Sequence, residues 1–143
     1  TYEGGGHAYH ATMPTDALVK FCESMKETQA YGFDKIRDEQ QALGDKMRAM
    51  LERNGFKSVA ADGFKAPGVV VSYTDAAEVQ NGSRFAAEGV QIAAGVPLEC
   101  DEGDDFRTFR LGLFGLDKLQ NIDRTVANFE DALTKVLADT NVR

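Results

Sequence analysis

The chain has 143 residues, 43% of them hydrophobic, enough for one compact domain or for one small domain with a piece of another. A formal net charge of −7 argues against a nucleic-acid partner, because phosphate binding needs clustered Lys and Arg. No apolar run in the sequence nears the ~20 residues that span a bilayer, and no secretory h-region opens it, so no membrane partner is expected. Two distant cysteines, Cys22 and Cys100, make no disulfide framework, which fits a reducing, cytoplasmic setting.

The chain opens Thr1-Tyr2-Glu3-Gly4-Gly5-Gly6 with no initiator Met, a start that reads as that of a fragment. Residues 1–13 carry no helical or strand periodicity and are expected to form a loop. After Pro14, Leu18, Phe21, Cys22 and Met25 fall at i, i+3, i+4 and i+7, one face of an amphipathic helix. Thr15 is its expected N-cap, and Tyr31-Gly32 its stop. A second helix is predicted over 34–53, with Ile36, Leu43, Met47, Met50 and Leu51 as its buried stripe and Asn54-Gly55 as its stop.

Three strand-like segments follow at 56–60, 68–73 and 89–93. Between the last two, 76–88 reads as a helix interrupted by Asn81-Gly82. Residues 94–105 form an acidic loop, and 106–114 alternates as a strand does. Asp117 is expected to open the last helix, with Gln120 three residues on as in a capping box. Its stripe is Leu119, Ile122, Val126, Phe129, Leu133 and Val136. This order predicts an α+β fold, a small and mainly antiparallel sheet with helices packed on one face.

Three constellations could carry chemistry. In an extended strand Phe109, Leu111 and Leu113 point one way, while Arg110, Gly112 and Phe114 point the other. A guanidinium beside a residue without a side chain leaves room for an anionic ligand to accept two parallel hydrogen bonds. Strand geometry equally allows an edge-strand Arg paired with a surface carboxylate, with Gly112 as a bulge.

The second constellation, residues 4–14, combines glycines, hydroxyls and a helix start that can cradle a phosphate. His7 and His10 alone are too few ligands for a metal, and no metal site is expected. The third is Cys100, ringed by Glu99, Asp101, Glu102, Asp104 and Asp105. Negative neighbours raise a thiol pKa, so Cys100 is expected to be an ordinary loop cysteine.

Taken in order, three segments resemble the class V aminotransferases of pyridoxal-phosphate (PLP) fold type I, especially the alanine–glyoxylate and serine–pyruvate group. Tyr9-His10-Ala11-Thr12-Met13-Pro14-Thr15 is similar to the family's Tyr-His-x-Thr-x-Pro segment, which precedes the helix joining its two domains. Gly89-Val90-Gln91-Ile92-Ala93-Ala94-Gly95 is similar to a strand and Gly-containing turn near the active site. Residues 109–115 are similar to the family's Phe-Arg-Ile-Gly-x-x-Gly strand.

The resemblance implies that residues 1–14 are a remnant of the large PLP-binding domain. It makes 15–31 the interdomain helix and 32–143 the small C-terminal domain. It gives Arg110 the substrate α-carboxylate, and Tyr9 and Thr12 contacts to the cofactor phosphate of the partner subunit in a homodimer. Substrates would be a small amino acid (alanine or serine) and a 2-oxo acid such as glyoxylate or pyruvate, with PLP as electron sink. The family's Schiff-base lysine and the acid on the pyridine nitrogen lie upstream, and neither motif is recognisable here. By this reading the isolated fragment holds no catalytic residue, binds no PLP and is inactive. The turn Ala94-Gly95-Val96-Pro97 carries less glycine than the family's, and the acidic loop follows it. Two alternatives stand beside this reading: another fold type I enzyme, such as a cysteine desulfurase using Cys100, and a free-standing, non-catalytic α+β binding or regulatory module.

Overall fold

A computed structural model describes residues 3–7 and 11–138. The elements are α1 (Thr15–Tyr31), α2 (Phe33–Arg53), β1 (Val69–Tyr73), α3 (Ala77–Gln80), α4 (Ser83–Ala87), β2 (Ala93–Ala94), β3 (Thr108–Gly112), α5 (Leu116–Leu119) and α6 (Ile122–Ala138). The chain divides into two units, Thr1–Phe33 and Asp34–Arg143.

In the first unit, α1 starts one residue earlier than a Thr15 cap would place it. Pro14 occupies the N-cap position and no side chain caps the helix. The Thr15 N–H donates instead to the Met13 carbonyl, at 2.8 Å, so Thr15 is the first helical residue. Gly32 ends α1 with a positive φ (105°) that favours glycine, its N–H donating to Thr28 O at 3.2 Å. The apolar stripe is present but α1 buries none of its residues; Phe21 is 64% exposed.

In the second unit, α2 buries Leu43, Met47, Met50 and Leu51, with Ile36 packed at the margin of the core. Its end is a Schellman motif: Gly55 (φ 93°) donates to Glu52 O at 3.0 Å, and Phe56 N–H reaches back to Leu51 O at 3.0 Å. Phe56 and Leu51 are both buried, the apolar contact that usually accompanies this motif.

A ridge on α2 holds the segment that leads into the sheet. At Gly44 the helix meets Pro67 so closely that an added Cβ would lie 2.7 Å from its carbonyl oxygen. One turn on, the Arg48 guanidinium is buried and donates from Nη2 to the carbonyls of Ala66 and Val69, the latter at 3.1 Å. One turn back, Gln40 Nε2 donates to Pro67 O at 3.2 Å and Leu113 O at 3.3 Å. Burial holds the Arg48 pKa below its usual value, against the opposing pull of Asp45 and Glu52.

The sheet is antiparallel, in the order β1-β3-β2. Its register pairs Val71 with Arg110, Val69 with Gly112, and Ala93 with Arg110. One face carries the buried residues Val70, Ser72, Phe109 and Leu111 against helical residues of α2, α3, α4 and α6. Phe85 stacks on Phe129 (ring centroids 5.2 Å apart) and Phe56 meets Phe109 edge-on at 5.3 Å. The fold is α+β, with helices and a three-stranded antiparallel sheet.

Three local expectations are corrected. Residues 56–60 form no strand; they run along β1 through one isolated bridge, Ser58 to Ser72, before the Gly63 turn takes the chain away. The strand expected over 89–93 is β2, Ala93–Ala94, because the Val90 N–H is taken by Phe85 O at 2.9 Å. The last helix does not run unbroken from Asp117, and no capping box forms there. It breaks between α5 and α6, where Asn121 Oδ1 accepts the Arg124 N–H at 3.1 Å and caps α6. The interruption at Asn81-Gly82 is as expected, with Gly82 left-handed (φ 79°) between α3 and α4. Among the described residues no helix is long and apolar enough to cross a membrane.

Gly44→Ala sets a helix-propensity gain of about 1 kcal/mol against a backbone clash, and overpacking costs about 1–3 kcal/mol. The clash also displaces the carbonyls that Gln40 and Arg48 hold, so urea unfolding should show a net loss of stability. A raised denaturation midpoint would refute the close approach.

Candidate functional site

Arg110 stands in the middle of the central strand, between Val71 on β1 and Ala93 on β2. It is therefore no edge-strand residue, and Gly112 pairs in register with Val69 rather than forming a bulge. The strand alternation is as expected: Phe109, Leu111 and Leu113 are buried, Arg110 is half-buried, and Gly112 and Phe114 are exposed.

The Arg110 side chain is held by one internal hydrogen bond, Nε to Ala94 O at 2.9 Å. Among the described residues no carboxylate pairs with it, so Nη1 and Nη2 remain available as a two-pronged donor. Beside it, a Cβ on Gly112 would meet nothing nearer than Phe114 Cδ2, at 3.8 Å. The Phe114 ring lies on Gly68, where a Cβ would come within 2.6 Å of Cε1. Gly112 thus leaves backbone bare beside the guanidinium, and Gly68 makes room for the Phe114 ring.

Thr12 lies in the exposed segment before α1, in the first unit, whereas Arg110 belongs to the second. Tyr9 and His10 lie outside the described residues; His7 is exposed. Among the described residues no cluster of three or more His, Cys, Asp or Glu could hold a metal. None of the lysines is buried: Lys20 is on the surface of α1, Lys46 is paired with Asp123, and Lys118 is beside Asp117.

The acidic loop is organised around one of its own carboxylates. Glu102 accepts backbone N–H groups from Leu98, Glu99 (2.8 Å) and Cys100 (2.7 Å), and Glu99 and Asp101 take left-handed φ of 54° and 63° to close the ring. These donors, Cys100 N–H first, hold the Glu102 pKa down at about 2. The hydrogen bond from the Cys100 thiol to Glu102, then burial and charge, raises the thiol pKa. A thiol so placed is a poor nucleophile.

A second concavity opens where β2 leaves β3. It is a cleft of about 430 Å³ floored by Ile92, Leu111, Leu113 and Phe129, with Lys118 and Arg124 at its mouth. Arg110 does not line it. Neither this cleft nor the burial of Arg48 is legible in local sequence pattern, because both depend on contacts between distant segments. The only local hints are a charge inside the α2 stripe and a cation in the first turn of α6.

Glu102 sets a pH dependence with a definite sign. Its folded pKa lies below the ordinary 4.5, so its contribution to loop order is complete above that value and is lost as pH falls toward about 2. Amide signals of Glu99 and Cys100 followed by NMR should titrate with a midpoint near 2; a midpoint near 4.5 would show the carboxylate to be free.

Comparison with protein-family models and with curated proteins finds no match to this chain.

Proposed function

We propose that this chain is the C-terminal part of a PLP-dependent aminotransferase of class V, in which Arg110 binds the α-carboxylate of the substrates. One observation carries the reading: a central-strand arginine whose two terminal nitrogens meet no carboxylate among the described residues, opening on a face that Gly112 leaves bare. The order of the Tyr9–Thr12, 89–95 and 109–115 segments supports it from the sequence side.

The geometry suits such an anchor. The Nε bond to Ala94 O fixes the plane of the guanidinium, so little side-chain freedom remains to be lost when a carboxylate docks. An amino acid and a 2-oxo acid share the carboxylate and differ at the neighbouring carbon. One fixed guanidinium can therefore seat both, in turn, with that carbon in the same place. Gly112 admits the substrate backbone beside the guanidinium.

In this reading the chain alone does not bind PLP. Imine formation takes a lysine in a closed pocket, and every lysine here is on or near the surface. In this reading the lysine and the acid on the pyridine nitrogen belong to other parts of the enzyme. Tyr9 and Thr12 are assigned phosphate contacts to the neighbouring subunit of a homodimer. Substrates are a small amino acid, alanine or serine, and a 2-oxo acid such as glyoxylate or pyruvate.

In the complete enzyme, Arg110→Ala should lower kcat/KM for both substrates, chiefly through KM, by roughly 30- to 1,000-fold, equivalent to about 2–4 kcal/mol. The PLP absorbance should be unchanged. Unaltered kinetics in that variant would overturn the assignment.

A further inference from the structure

We infer that the cleft between the diverging ends of β2 and β3 is a second ligand site, suited to a small monocarboxylate with an apolar body. It rests on the second unit alone and does not depend on the aminotransferase reading.

The backbone supplies the first argument. In the β1–β3 ladder the odd-numbered residues of this stretch bond to β1, as Leu113 N–H to Gly68 O and Thr74 N–H to Arg107 O show. Even-numbered residues therefore turn their N–H and C=O toward β2. Arg110 meets Ala93 there, but β2 ends at that pair, and Val90 is drawn off to Phe85. The N–H and C=O of Gly112 are left facing the cleft with no strand opposite them.

Electrostatics supplies the second. Arg124 lies in the first turn of α6, where the helix dipole favours an anion and disfavours a cation. Among the described residues no carboxylate pairs with its side chain; the neighbouring Asp123 is turned to Lys46 instead. Lys118 sits across the mouth, 3.6 Å from Asp117. Two cations against one carboxylate leave one positive charge uncompensated, in a chain whose net charge is −7. A monoanion neutralises it and also lies favourably at the start of α6.

The floor supplies the third. Ile92, Leu111, Leu113 and Phe129 give an apolar surface, and Gln91 and Asn128 add amide donors at the rim. The volume of about 430 Å³ falls within the range of small-molecule sites, about 300–1,000 Å³. Thr125 also lines the cleft, but its one hydroxyl proton is shared between the helix-break carbonyls of Lys118 and Asn121, a structural role.

The test is an NMR titration of the 143-residue chain with 3-phenylpropionate, with 3-phenylpropionamide as the neutral control. The acid should shift the amides of Gly112, Gln91 and Asn128 saturably, and the amide analogue should not. Arg124→Gln, an exposed change, should weaken the acid by about tenfold or more, while Arg110→Gln leaves its affinity unchanged. Any one of three results overturns the proposal. These are no saturable shift in the millimolar range, equal binding of acid and amide, or loss of binding in Arg110→Gln but not in Arg124→Gln. The last would send the carboxylate to the open face of β3.

Discussion

The second unit depends on a buried guanidinium. Arg48 is 4% exposed, and removing a cation from water costs several kcal/mol unless bonds replace the lost hydration. Nη2 recovers part of this from two carbonyls, while Nε and Nη1 have no hydrogen-bond partner among the described residues. The compensation is geometric. Those carbonyls belong to Ala66 and Val69, so the bond sets where the chain enters β1. β1 sets the register of β3, and that register decides which β3 residues face the core. Gly44 and Gln40 act on the same segment from adjacent turns of α2, so three polar or small residues on one ridge do what apolar packing alone could not specify.

The two sides of β3 consequently have opposite characters. Toward the helices lie Phe109, Leu111 and Leu113, buried among aromatic and aliphatic side chains. On the other side Arg110 is lashed to Ala94 and flanked by bare backbone at Gly112. A cation at this position is partly desolvated, and among the described residues no carboxylate pairs with it. Such a group attracts a carboxylate more strongly than a fully solvated arginine would. Gly95 contributes from below: an added Cβ would overlap Thr108 O at 1.8 Å, so only glycine lets the post-β2 turn lie against β3 and present the Ala94 carbonyl.

Much of this was readable from local pattern. The i, i+4 spacing of α2 and α6, the valines of β1 and the strict alternation of 109–114 each state their own periodicity, and the structure follows them. The Arg110 orientation came from that alternation alone. What local pattern could not say is that β3 is central, since that requires β1 and β2 to arrive from 41 and 17 residues away, in the register pairs Val70 with Leu111 and Ala93 with Arg110. Val90 and Ile92 alternate like a strand, but a single hydrogen bond to Phe85 outweighs the pattern. The stripe from Leu119 to Val136 keeps its phase across the break at Asn121, which hid the break; a side-chain cap competes with the backbone without altering apolar spacing.

The brevity of β2 has one more effect. A sheet's outer strands carry unpaired N–H and C=O groups that can recruit strands from other molecules and seed aggregation. Here both borders are blunted. Along β1, Lys57 and Val59 occupy the ladder through bonds to Tyr73 and Val71. On the far side β2 is two residues long and runs straight into Gly95-Val96-Pro97, whose proline has no N–H to offer. A sheet this small would otherwise be nearly all border, and its shortest strand is what makes it a poor template for its neighbours.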